Sequence, residues 1–251
     1  MDLIQLGDGK PTEHELRSLQ SFISKRELRL FHFTNRKNIS GIAEHGLVPR
    51  THPKFESLDP EPKITDTTRA VHGGTCFSVG WPNFAMMAYK KLNLLKEGET
   101  FVILEIDSRI LLEKNWFAFP TNSSGREIAR AVRARPGQFS ASGALQIMFE
   151  DCAKTTKGTW ANRSELGLTE DLPTDPQAEI VFEDTIERHW INTVFVEMQH
   201  QLDQVETRPD LLSKLEFVYA PEMFKPRVDN AFWRNGVRLT YPIVVPSPVN
   251  D

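Results

Sequence analysis

The stretch Gln177-Ala178-Glu179-Ile180-Val181-Phe182 most narrows what this chain can become. Its apolar, β-branched core follows the turn-forming run Leu172-Pro173-Thr174-Asp175-Pro176, and that pattern predicts a short strand. The strand carries a carboxylate at its mouth. A buried carboxylate without a partner is costly. Glu179 is therefore either a solvated strand-edge residue or a catalytic carboxylate that a rigid strand delivers just after a mobile loop.

The rest of the chain alternates strands with short helices. Glu13 to Lys25 predicts a helix, with Leu16, Leu19, Phe22 and Ile23 at spacings of three and four. Leu28 to Phe33 alternates as a strand does. Thr34 and Asn35 can cap the helix that follows, Ile39, Ile42 and Ala43 form its apolar stripe, and Gly46 occupies the C-terminal left-handed position. Residues 49–74 lack clear periodicity and read as a loop. Further strands are expected at Thr75–Val79, Phe101–Ile106, Trp116–Phe119, Ile180–Phe182 and Ile191–Glu197, with a helix over Phe84–Leu95. Later segments predict a helix near Ala144–Cys152, one or two helical turns at Pro209–Lys214 and a strand at Leu215–Tyr219, and Tyr241–Val245 closes the chain. With no internal repeat and no clean linker, the fold class expected is α+β: an N-terminal helical extension over residues 1–27 and one core domain over 28–251.

Composition excludes several classes. The hydrophobic share of 39% and charged share of 25% are ordinary for a globular chain. Two cysteines, Cys76 and Cys152, cannot build a disulfide framework, and no Cys/His cluster has zinc spacing. The N-terminus lacks a basic region followed by an apolar one, and no apolar run nears the roughly 18 residues of a membrane span. A cytoplasmic location is the expectation. The net charge is −4, so any grip on nucleic acid must come from a local patch.

One such patch stands out. Arg126, Arg130 and Arg133 recur on one face of a helix predicted over Gly125–Arg135. That face is either solvated, as most charge runs are, or a phosphate track.

Four features occur in a fixed order: Leu30-Phe31-His32-Phe33-Thr34 before a helix ending in Gly46-Leu47; Arg69 in a polar loop; Cys76-Phe77-Ser78 leading to Phe84-Ala85-Met86-Met87-Ala88-Tyr89; and Gln177-Ala178-Glu179. This order resembles the DarT-type family of NAD-dependent ADP-ribosyltransferases, toxins that modify nucleic-acid bases. Phe119-Pro120-Thr121-Asn122 resembles the family's aromatic-Thr-Asp segment. Ala88 stands where the family has Leu, Asn122 stands where it has Asp, and the loop from Arg69 to Phe77 is short.

The resemblance implies an ADP-ribosyltransferase-like fold with two packed mixed sheets, flanked by helices and clasping NAD, with no metal. It implies that Glu179 holds the ribose 2′-hydroxyl and stabilises an oxocarbenium-like transition state. Arg69 takes the pyrophosphate, with Arg50 in reserve. His32 and Thr34 reach the adenosine side. Ser78 touches the nicotinamide ribose, and Phe77, Phe84 and Tyr89 pack the nicotinamide. Each residue also has a structural reading, as solvated loop, helix cap or core. Phosphates would run along Arg126, Arg130, Arg133 and Arg163, and Trp160 either stacks on a base or anchors its loop.

The expected function is transfer of ADP-ribose from NAD to a base in single-stranded DNA or RNA, within a toxin–antitoxin or phage-defence system and with an antitoxin protein as partner. Two rivals stay open: the same chemistry on a protein side chain or on water, and a binding module of this fold without turnover.

Overall fold

In the computed structural model the strand Leu30–Asn35 (β1) lies at the centre of a seven-stranded sheet. The structure describes residues 13–50, 52–58, 73–123, 142–151, 153–155, 160–233 and 239–240. The remaining strands are Thr75–Val79 (β2), Phe101–Ile106 (β3), Trp116–Phe119 (β4), Ala153–Thr155 (β5), Trp160–Ala161 (β6), Glu179–Phe182 (β7), Ile191–Val196 (β8), Glu216–Tyr219 (β9) and Leu239–Thr240 (β10). The sheet order is β4-β7-β2-β1-β3-β8-β9, antiparallel throughout except for the parallel pair β8–β9. Strands β10, β5 and β6 form a separate three-stranded antiparallel sheet.

Two mixed sheets were expected, and one large sheet with a seam is found. β1 pairs β3 from Leu30 through Asn35, and β2 pairs β7 from Thr75 through Ser78. Between β1 and β2, however, only Leu30↔Val79 and Phe31↔Ser78 are matched. Beyond those pairs the strands part, leaving β4-β7-β2 and β1-β3-β8-β9 as two wings. The candidate active site lies at this opening.

Strand alternation assigns the two faces. Leu30, Phe77, Val79, Val102, Leu104, Ile180 and Phe182 join one core cluster, which also takes Leu19 and Ile23 of the helix Glu13–Lys25 (α1) and Ile39 and Ile42 of the helix Ile39–His45 (α2). Phe31, Ile103 and Phe195 join the other, with Met87 of the helix Phe84–Asn93 (α3), Met223 and Phe224. The rings of Phe77 and Phe182 meet edge to face at 5.4 Å. Such a pair adds about 0.5–1.5 kcal/mol beyond area burial, and here it ties β2 to β7 beneath the site.

α1 and β3 begin and end where the sequence predicts, and β7 gains one residue, Glu179 itself. The turn after β1 is tighter than expected. Asn35 caps a 3₁₀ turn, Arg36–Asn38, by accepting from the Lys37 N–H at 3.0 Å, and α2 begins only at Ile39. Gly46 has φ 76° and ψ −169°, a conformation open essentially to glycine alone. An added Cβ there would stand 2.3 Å from the Ile186 carbonyl oxygen, at the bridge between Leu47 and Ile186. The segments Gly125–Arg135 and Tyr241–Val245 lie outside the described residues.

Candidate active site

A cavity of about 400 Å³ opens at the seam, within the range of small-molecule sites. His32 and Thr34 line it from β1, Ser78 from β2, Asn122 from the loop after β4, Glu179 from β7 and Arg50 from the loop after α2. Residues from five separate stretches of chain thus converge on one space.

Glu179 is buried, with 8% of its surface exposed. β7 runs between β2 and β4, so Glu179 is matched with Ser78 on one side and Phe119 on the other. One carboxylate oxygen, Oε1, accepts the backbone N–H of Ser123 in a short hydrogen bond. The chain after β4 therefore wraps over the carboxylate and gives it a backbone donor. This partner answers the cost of burial that the sequence raised. It also leaves Oε2 for chemistry in the cavity.

Ser78 is held from the start of α3. Its Oγ accepts from the Asn83 N–H at 3.0 Å, and Asn83 Oδ1 caps the helix by accepting from the Met86 N–H at 3.1 Å. Ser78 keeps a hydroxyl proton to donate. His32 bridges the parted strands, with Nδ1 2.8 Å from the Cys76 carbonyl oxygen. A carbonyl only accepts, so Nδ1 carries the proton. Thr34 Oγ1 accepts from Asn38 Nδ2 at 2.9 Å. The Arg50 backbone N–H donates to Gly73 O at 2.8 Å, tying the chain after α2 to the residues just before β2.

The site thus combines a fixed carboxylate, hydroxyls at Ser78 and Thr34, an imidazole, and cations from Arg50 and Lys37 in a partly enclosed space. Such a space suits a ligand with phosphates and sugar hydroxyls. The carboxylate is placed to favour positive charge that develops on a bound sugar. Among the described residues no cluster of His, Cys, Asp and Glu could hold a metal ion.

Other candidates fall elsewhere. Phe77 is fully buried in the core, because alternation turns it to the sheet face opposite Ser78; it does not line the cavity. Tyr89 is 62% exposed on α3 and also stands away from the lining, whereas Met86 and Lys90 of that helix reach it. Phe84 packs with the Phe31–Met87 cluster. Arg163 directs its guanidinium inward, to Leu172 O at 2.6 Å and Thr169 O at 2.7 Å. Burial, with Arg26 nearby, holds that guanidinium below the usual arginine value. Arg69, Arg126, Arg130 and Arg133 lie outside the described residues, as does the side chain of Trp160.

Asn83 does not stand out as a site residue in the sequence, and Asn122 does so only through its place in the Phe119-Pro120-Thr121-Asn122 segment. Asn83 does carry a usable signal: an Asn directly before a helix caps it, and the capped end faces whatever precedes it. For the Ser123 amide no side-chain signal exists, because any residue there supplies the same N–H.

Among protein families, the one described as ssDNA thymidine ADP-ribosyltransferase, DarT, matches residues 81–225. The chain belongs to that family. The matched span contains Glu179 and stops short of His32 and Ser78. The fold agrees with that of Thermosipho africanus DarTG in complex with ADP-ribose, at 11% identity and a TM-score of 0.51, over 78% of this chain and 50% of that one. This chain therefore spans about half the length of the Thermosipho protein. Two structures of Thermus sp. 2.9 DarT also match: one in complex with NAD+ (14% identity, TM-score 0.47, 78% and 97% of the two chains) and one in complex with ADP-ribosylated ssDNA (12%, 0.46, 78% and 96%). A comparison with curated proteins finds no match.

Proposed function

We propose that this protein cleaves NAD between nicotinamide and ribose and transfers the ADP-ribose to thymine in single-stranded DNA. The observation that carries this reading is Glu179: a buried carboxylate on a strand paired on both sides, at the wall of a cavity also lined by His32, Thr34 and Ser78. Family membership supplies the reaction class.

The bond from ribose C1′ to the nicotinamide nitrogen breaks, and nicotinamide leaves neutral with the bonding pair. Positive charge then spreads over C1′ and O4′. Glu179, fixed by Ser123 through Oε1, meets that charge with Oε2 and holds the ribose 2′-hydroxyl. In thymidine N1 already carries the sugar, so N3 is the ring nitrogen with a proton to lose. A bond forms from N3 to C1′, and the N3 proton passes to the carboxylate or to water.

Ser78 takes the nicotinamide-side ribose, and His32 with Thr34 the adenosine side. Arg50 holds the pyrophosphate from the described wall, and Arg69 is the second cation for that role. Arg126, Arg130 and Arg133 carry the phosphates of the strand. A protein with this activity is toxic in the cytoplasm that makes it, so an antitoxin that masks the site or removes the mark completes the proposal. Among the described residues no helix is long and apolar enough to cross a membrane.

The test uses NAD labelled in its adenylate half, offered with single-stranded DNA, RNA or a protein extract, beside Glu179→Gln. Glutamine keeps an acceptor for the Ser123 N–H and removes the charge. Label moving to DNA alone, and lost in the variant, is the expected result. Label on protein or RNA moves the acceptor; no nicotinamide release from any mixture removes the enzyme.

A further inference from the structure

Ser123 gives Glu179 its backbone N–H, and nothing in that contact needs a serine side chain. The side chain stands apart from it. Ser123 is 1% exposed, and among the described residues its Oγ has no hydrogen-bond partner. A buried hydroxyl in that position is a net cost, because its hydration is given up and no protein group replaces it. Alanine would supply the same N–H without that cost. The hydroxyl is useful only where a partner meets it during the reaction.

The surroundings name that partner. Phe119 is matched with Glu179 across β4 and β7, Asn122 lines the cavity, and Ser123 returns over the carboxylate. Its Oγ is joined through Cβ to the Cα that carries the donated N–H. Rotation about χ1 among the staggered positions therefore sweeps Oγ through the space beside Glu179 Oε1. Ser123 does not line the cavity, so it acts on a substrate only through Glu179.

One hydrogen bond does not complete the placement of Glu179. The terminal torsion of a glutamate is broad, so a carboxylate held at Oε1 alone can still turn about that anchor and carry Oε2 with it. A second donor on the same side sets its plane. We propose that Ser123 is a positioning residue: with substrate bound, its hydroxyl donates to Glu179 Oε1 beside the N–H, and the two donors of one residue fix the direction of Oε2 toward the ribose. This rests on the NAD cleavage proposed above. In that reading His32, Thr34 and Arg50 hold the rest of the dinucleotide, so loss of the hydroxyl is felt in kcat and not in KM.

The test compares the unaltered protein with Ser123→Ala, Ser123→Thr, Glu179→Gln and the double variant Ser123→Ala/Glu179→Gln. Three quantities are read: the urea midpoint, the Kd for ADP-ribose, and kcat with KM for nicotinamide release from NAD. Ser123→Ala should keep or raise the midpoint, because it removes a buried hydroxyl without a partner and leaves the N–H in place. Its Kd for ADP-ribose and its KM should stay within about twofold of wild type, while kcat falls about tenfold to a hundredfold, the scale of a slightly misplaced reacting group. Ser123→Thr keeps the hydroxyl and should recover part of that loss. Added to Glu179→Gln, Ser123→Ala should change kcat by less than about twofold, since the group it acts on is already disabled. A kcat for Ser123→Ala equal to that of wild type overturns the proposal. So does an equal loss in both backgrounds, which would mean a structural role, and so does a lowered midpoint, which would mean that the fold already pairs the hydroxyl. Wild-type protein that releases no nicotinamide would overturn the NAD reading first and this role with it, whereas the other outcomes strike this role alone.

Discussion

His32 spans the gap where β1 and β2 part, its Nδ1 2.8 Å from the carbonyl oxygen of Cys76. Strand pairing between the two wings stops at Leu30↔Val79 and Phe31↔Ser78, so the ring carries the connection one step further into the opening. It thus holds one edge of the cavity at a set width. His32→Ala deletes one hydrogen bond of about 0.5–1.5 kcal/mol, so the KM for NAD should rise roughly threefold to tenfold with a smaller effect on kcat. Initial rates across NAD concentrations check this; an unchanged KM in a folded variant removes His32 from the binding wall.

Glu179→Gln separates charge from shape. The amide can still accept the Ser123 N–H, so the melting temperature should move little. The rate of nicotinamide release should fall by about two to three orders of magnitude, the scale on which removal of one preorganised electrostatic partner is felt. Thermal melts and single-turnover NAD cleavage together distinguish a disabled catalyst from a disrupted fold.

Gly80 sits at φ 70°, and an added Cβ would lie 2.4 Å from the backbone oxygen of Asp171 in the loop before β7. Gly80→Ala meets both strain and backbone collision. A stability loss of about 2 kcal/mol or more is expected from these mechanisms, read as a shifted midpoint in urea. An unshifted midpoint would show that the loop gives way at no cost.

Asp107 caps the 3₁₀ turn after β3, and the Arg109 guanidinium hydrogen-bonded to it holds its carboxyl below the usual aspartate value, against the opposing effect of burial. The folded value is lower than the unfolded one. Its contribution to stability is therefore complete at neutral pH and is lost as the pH falls through the lowered folded value. Asp107→Asn should be less stable than wild type at neutral pH, and the difference should close in strong acid. Urea midpoints at the two pH values measure it.

Reversal of Arg126, Arg130 and Arg133 to Glu tests the phosphate track. For every phosphate that is no longer neutralised, the salt slope of DNA binding should shrink by about one, and affinity should fall for every sequence alike. NAD cleavage without DNA should persist. Modification that continues unchanged would place the strand elsewhere on the surface.

Much of this protein was legible in the chain itself. Local periodicity is a property of neighbouring residues, so α1, β3 and β4 could be bounded from the sequence within their own spans. Glu179 could be singled out because a carboxylate at the mouth of an apolar strand is costly unless something meets it. The order of short motifs pointed to the family. Other features depended on residues far apart in sequence. Strand order put β7 between β2 and β4, and only that order brings the Ser123 amide onto the Glu179 carboxylate. The two-residue match between β1 and β2 turned an expected pair of sheets into one sheet with a seam. Phe77 and Ser78 are adjacent, yet the pleat sends one into the core and the other to the cavity. Arg163 reads as a free cation in sequence, because its partners are backbone carbonyls, which every residue carries and no sequence pattern marks. Backbone groups satisfied across the fold, and the sides of a sheet, are decided by pairing, and pairing exists only in the tertiary structure.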